Sequence, residues 1–122
     1  MKNIFHISCL LALLCLLGSC STFYRTVQIK DVSKPEKITL SKRPLQKHVY
    51  HISIQVAGKL DGTTASIALT IDGKPKPYLS EKMHNSVNFQ WKSDWYSDVA
   101  VIQYKAIDVK SGNLTLYYRF SA

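Results

Sequence analysis

The sequence predicts an all-β fold, a small antiparallel β-sandwich or partly open barrel of five to seven strands. Three observations carry this. After residue 48, five segments alternate apolar and polar residues with the period of two that a half-buried strand requires. Clusters of Gly, Pro, Asn and Asp stand between them. No segment after residue 20 has a 3.6-residue apolar period, and there is no internal repeat or low-complexity tract.

In chain order, residues 49–56 set Tyr50, Ile52, Ile54 and Val56 inward and Val49, His51, Ser53 and Gln55 outward. Gly58-Lys59-Leu60-Asp61-Gly62 has the chemistry of a hairpin turn, with two glycines and an Asp-Gly pair. The return strand places Ala65, Ile67, Leu69 and Ile71 against Thr64, Ser66, Ala68 and Thr70. Pro75 and Pro77 end it, since neither can donate to a ladder. Residues 78–84 read equally as a helical turn or a loop between sheets. Residues 85–91 alternate again, with Val87, Phe89 and Trp91 inward, and residues 92–97 form a loop carrying Trp95 and Tyr96.

Residues 98–107 place Ala100, Ile102, Tyr104 and Ala106 on one face and Val99 and Val101 on the other, which marks an interior strand. Lys110-Ser111-Gly112-Asn113 is the next turn. The last strand sets Leu114, Leu116, Tyr118 and Phe120 inward against Thr115, Tyr117 and Arg119. Each large apolar side chain fully buried stabilises by about 1.5–3 kcal/mol, so this inward set can offset chain entropy without cross-links.

Residues 20–47 differ. Pro35 and Pro44 disfavour helix at the residues before them. Arg25, Lys30, Lys34, Lys37, Lys42, Arg43 and Lys47 face only Asp31 and Glu36, and the whole chain carries +8. The expected structure is a basic tether with two short β-like pieces, residues 26–30 and 37–40, either of which suits the edge of a sheet. Residues 48–122 are then the folded domain.

The first nineteen residues explain the tether. A basic head at Lys2 leads into the apolar run of residues 4–17, shorter than the roughly 20 residues of a transmembrane helix. Leu17-Gly18-Ser19-Cys20 follows. Head, apolar middle and small residues are the parts of a secretory signal, and Leu-Gly-Ser-Cys resembles the lipobox of bacterial lipoproteins. The resemblance implies cleavage by signal peptidase II and a diacylglycerol thioether on Cys20. It also implies an envelope location; Ser21 lacks the aspartate of inner-membrane retention and points to the outer membrane, facing the periplasm. Cys9 and Cys15 leave with the leader, so no disulfide is expected.

On this reading the basic arm faces anionic lipid or envelope glycan, and nucleic acid is not a partner. The plainer alternative is a solvated spacer. No cofactor or metal is expected. His48 and His51 point to opposite faces of a strand, His84 stands apart, and Asp61 and Asp72 precede glycines in turns. No Gly-x-Ser-x-Gly elbow or phosphate-binding glycine loop is present. Glu81, Asp94 and Asp98 have no spacing that favours a carboxylate pair. The expectation is therefore no enzyme.

What remains is aromatic. Exposed rings beside a cation grip sugars and peptides, and Lys92, Trp95, Tyr96, Tyr117 and Arg119 form a candidate rim. The competing reading makes Trp95 a plug over one end of the sandwich. Three function classes follow: an interaction or structural component docking to an envelope protein through edges or loops, a glycan- or peptide-binding module using the rim, and an envelope enzyme or inhibitor.

Overall fold

The computed structural model describes residues 24–122; the leader and Cys20 lie outside them. The fold is all-β, a single antiparallel sheet of six strands curled into a half-barrel: β1 (Arg25–Gln28), β2 (Glu36–Ser41), β3 (His51–Thr70), β4 (Leu79–Asp94), β5 (Val99–Ala106) and β6 (Val109–Ser121).

β3 organises the sheet, and it corrects one expectation. The glycine-rich stretch at residues 58–62 is not a hairpin turn; the chain runs through it as one bent strand. The first limb of β3 lies between β4 and β6, with Ile54 opposite both Trp91 and Tyr118. The second limb lies between β4 and β5, with Ile67 opposite Glu81 and Tyr104. Neighbouring strands bend along the same line. Leu60 pairs with Asn85 but Ala65 with Met83, so β3 carries extra residues across the bend, and Asn85 takes a left-handed φ of 54°. β5 and β6 join there through Ile107 and Asp108.

Glycine makes this crease possible by bringing backbones together rather than by reversing the chain. A Cβ on Gly58 would lie 2.0 Å from the Asn113 carbonyl oxygen, and one on Gly62 would lie 2.1 Å from that of Asp108. Both have φ in the region that side chains avoid, 153° and 143°.

Folding at the crease turns the two inner faces toward each other. Ile52, Ile54, Val56, Ile67, Leu69, Ile102, Tyr104, Leu114 and Leu116 fill the space between. Tyr50 and Ile71, expected inside, lie just beyond the ends of β3 and are exposed. Alternation was right for the strand and failed where the strand stopped.

The arm is part of the sheet. β1 pairs with β6 and β2 with β5, which extends the sheet on the side away from β4. Ile29, Val32 and Leu40 are buried in the core, and the Arg25 Nη2 donates to the Ser41 carbonyl. The two β-like pieces expected within the basic arm, residues 26–30 and 37–40, coincide with β1 and β2, and residues 25–41 are folded against the sheet.

Candidate interaction surfaces

The expected rim divides into two places. Trp95 belongs to neither, because it is the plug: only 3% of it is exposed. Its Nε1 donates to the Val99 carbonyl at 3.0 Å, its backbone N–H to the Tyr50 carbonyl at 2.9 Å, and its ring meets Tyr78 edge-on at 5.7 Å. It closes the open end of the folded sheet, opposite the crease.

Tyr96 beside it is 75% exposed and meets Tyr50 edge-on at 6.3 Å, while His48 stacks on Tyr50 at 5.9 Å. Ile71, Tyr78, Asp94, Trp95, Tyr96 and Ser97 line a hollow of about 430 Å³ here. Sequence reasoning put Tyr50 in the core and left Tyr78 unassigned. Its missed signal was position, since both residues sit where a strand ends.

Lys92, Tyr117 and Arg119 lie on the outer face of the first limb. Ser53 pairs with Lys92 on one side and Arg119 on the other, and Tyr117 lies opposite Gln55. The Arg119 guanidinium sits 5.3 Å from the centre of the Tyr24 ring. Amides dress the rest of this face: Gln55 donates to Asn88 at 3.1 Å and Gln90 to Ser53 at 3.1 Å.

A third surface is a sheet edge, the kind expected for docking, which the sequence reading had not located on a particular strand. Among the described residues β4 pairs only with β3, so this 16-residue strand is an edge along its whole length. The Trp95-to-Tyr50 backbone bond fixes which main-chain groups face which way. In an antiparallel ladder bonded pairs alternate, so Trp91, Phe89 and Val87 bond inward to β3. Ser86, Asn88, Gln90 and Lys92 turn their N–H and C=O groups to the open side. Residues 83–91 contain no lysine, arginine or carboxylate, whereas β1 carries Arg25 and β2 carries Glu36 and Lys37. The signal was legible as that charge-free run between Lys82 and Lys92.

Two groups, Asp31 in the β1–β2 connection and Tyr104 on β5, have their titration shifted by their surroundings. Bonds from the Ser33 hydroxyl (2.6 Å) and backbone N–H (3.0 Å), with Lys34 nearby, hold the exposed Asp31 carboxyl below its ordinary value. Burial, and then the charge of Asp31, raise the Tyr104 phenol above its ordinary value. His51 Nδ1 lies 3.3 Å from Asp94 Oδ1. Among the described residues no three of His, Cys, Asp or Glu come together as metal ligands would.

No protein-family model matches the sequence, and no curated protein matches it. Solved structures resemble it at low identity. One, of the disulfide-linked pili formed by Bacillus endospore appendages, superposes with a TM-score of 0.51 at 4% identity, over 81% of this chain and 86% of that one. A Tobacco streak virus coat protein gives 0.44 at 11% identity, over 81% and 85%. A CBM4 structure gives 0.39 at 12%, over 79% and 66%. The first shares the β-fold; the other two are more distant still.

Proposed function

We propose that this chain is a small non-catalytic lipoprotein of the bacterial envelope, anchored by lipid on Cys20 and facing the periplasm from the outer membrane. It acts as an interaction component, docking an extended segment of a second envelope protein along β4. The observation that carries the docking is the free, charge-free edge of β4. Soluble proteins usually blunt such edges with lysine, proline or a covering loop, because an open ladder recruits another strand. Here the middle of the edge is left open, as strand addition requires: main-chain bonds supply affinity and alternate side chains specificity. The aromatic loop is the weaker candidate for a glycan or peptide, since Trp95 serves the core and leaves Tyr96 as its exposed ring.

The test is photo-crosslinking in the native envelope, with the reactive residue at Gln90 and, for contrast, at Lys105 on β5. Gln90 should yield a defined adduct that Asn88→Pro removes, because the proline deletes an outward N–H and leaves the β3 ladder intact. An adduct indifferent to Asn88→Pro, or one formed only from Lys105, rejects the edge.

A further inference from the structure

We infer that the open end of the folded sheet is a membrane-facing footprint, seated on an anionic bilayer by Leu45 and the cations around it. Large apolar side chains left exposed are unevenly distributed. Tyr24, Leu45, Tyr50, Ile71, Tyr78 and Tyr96 gather at the open end, and only Ile107 and Tyr117 lie elsewhere among the described residues. Tyrosine, apolar in its ring and polar at its tip, suits the headgroup level of a bilayer.

Leu45 is the extreme case at 94% exposed. It stands at the tip of a turn begun by Pro44, and its exposure is built in. The Gln46 N–H donates to the Arg43 carbonyl at 3.0 Å, closing the turn. The Gln46 Nε2 donates to the Phe120 carbonyl at 2.8 Å, tying the turn to the end of β6.

The charge around Leu45 has one sign. Arg43 and Lys47 flank it in sequence, and Arg43, Gln46, Arg119 and Phe120 share a cavity of about 510 Å³ with it. Of the carboxylates at this end, Asp98 pairs with Lys42 at 3.3 Å and Asp94 lies 3.3 Å from the His51 Nδ1. A leucine projecting between guanidinium and ammonium groups fits an acyl boundary beneath phosphate headgroups.

Chain length puts a membrane within reach. Tyr24 lies against Arg119, and Cys20 precedes Tyr24 by four residues, at most about 14 Å of extended chain. This step rests on the lipid anchor proposed above. The two acyl chains of the diacylglycerol hold the chain at the bilayer; the footprint adds contacts with anionic headgroups and orients the domain.

The test uses the full chain carrying Leu45→Trp, reconstituted in vesicles of brominated phosphatidylcholine with or without phosphatidylglycerol. Trp91 and Trp95 are buried, so the unsubstituted chain gives the background. Emission should shift to the blue and be quenched severalfold more with phosphatidylglycerol. Salt should weaken the effect, and Arg43→Glu with Lys47→Glu should abolish it. Equal quenching on both vesicles, or none beyond background, overturns the footprint. Cys20→Ala separates the readings. If the anchor is wrong and the footprint right, quenching at Leu45→Trp survives that change without loss. If the anchor is right and the footprint wrong, fatty-acid labelling is lost with Cys20 while Leu45→Trp is never quenched.

Discussion

The Tyr104 hydroxyl, carried into the core by β5, donates to the Val32 carbonyl at 2.6 Å. Val32 lies in the connection between β1 and β2, so one buried bond pins the basic arm to the interior strand. It explains why a segment rich in lysine, and interrupted by proline, is folded rather than free.

Replacing Tyr104 with phenylalanine leaves the ring in place and the Val32 carbonyl without its donor. The expected cost is about 1–2 kcal/mol, measured by denaturant unfolding. The pH dependence has a definite sign. The phenol's folded pKa is raised by burial and by Asp31. Its contribution is therefore complete below the unfolded value of about 10 and is lost as pH rises through the folded value. Wild type should lose stability more steeply than Tyr104→Phe above pH 10, and the difference between the two curves isolates this group from the other tyrosines and the lysines.

If the arm belongs to the domain, its buried residues behave as core. Leu40→Ala should cost about 2–5 kcal/mol, whereas Lys30→Ala, exposed and close by in the same arm, should stay within about 0.5 kcal/mol. Equal and small losses would return the arm to the status of a spacer.

The crease makes its own demand. Gly62→Ala would drive a methyl group into the Asp108 carbonyl at an unfavourable φ. A loss well above about 1 kcal/mol is expected in thermal melts, with Asp61→Ala beside it close to neutral. A neutral Gly62→Ala would mean the bend tolerates a side chain and the glycine has another reason to be there.

How much of this was legible follows from what a period of two records. Alternation marks faces, so Ile52, Ile54, Val56, Ile67, Leu69, Ile102, Leu114 and Leu116 were all assigned inward and are buried. It does not record whether two consecutive strands reverse or continue. Glycine and aspartate at residues 58–62 suit both a hairpin and a crease, and what decides is the approach of Asn113 and Asp108, far along the chain. Leu40 lay in a piece already read as β-like, but Val32 was missed as core for a related reason: its burial comes from packing onto β5 and its neighbours, and the charge around it reads as exposed. The rim was half legible, since composition identified Trp95 and Tyr96 as unusual in a turn but not which ring faces in.

That last question yields the sharpest test of the open end. Trp95 and Tyr96 are adjacent, similar in size, and opposite in environment. Trp95→Ala should cost about 3–5 kcal/mol, because it empties the plug and strips the Val99 carbonyl of its indole donor. Tyr96→Ala should stay within about 0.5 kcal/mol, because little of that ring is covered. The two also differ in what else they change. Tyr96 belongs to the proposed footprint, so its loss should reduce binding to phosphatidylglycerol vesicles while the melt stays in place. Trp95→Phe, which keeps an aromatic filling without the donor, should fall between alanine and wild type in stability. A Trp95→Ala variant that melts with wild type would place the indole outside the core and reopen the loop as a recognition rim.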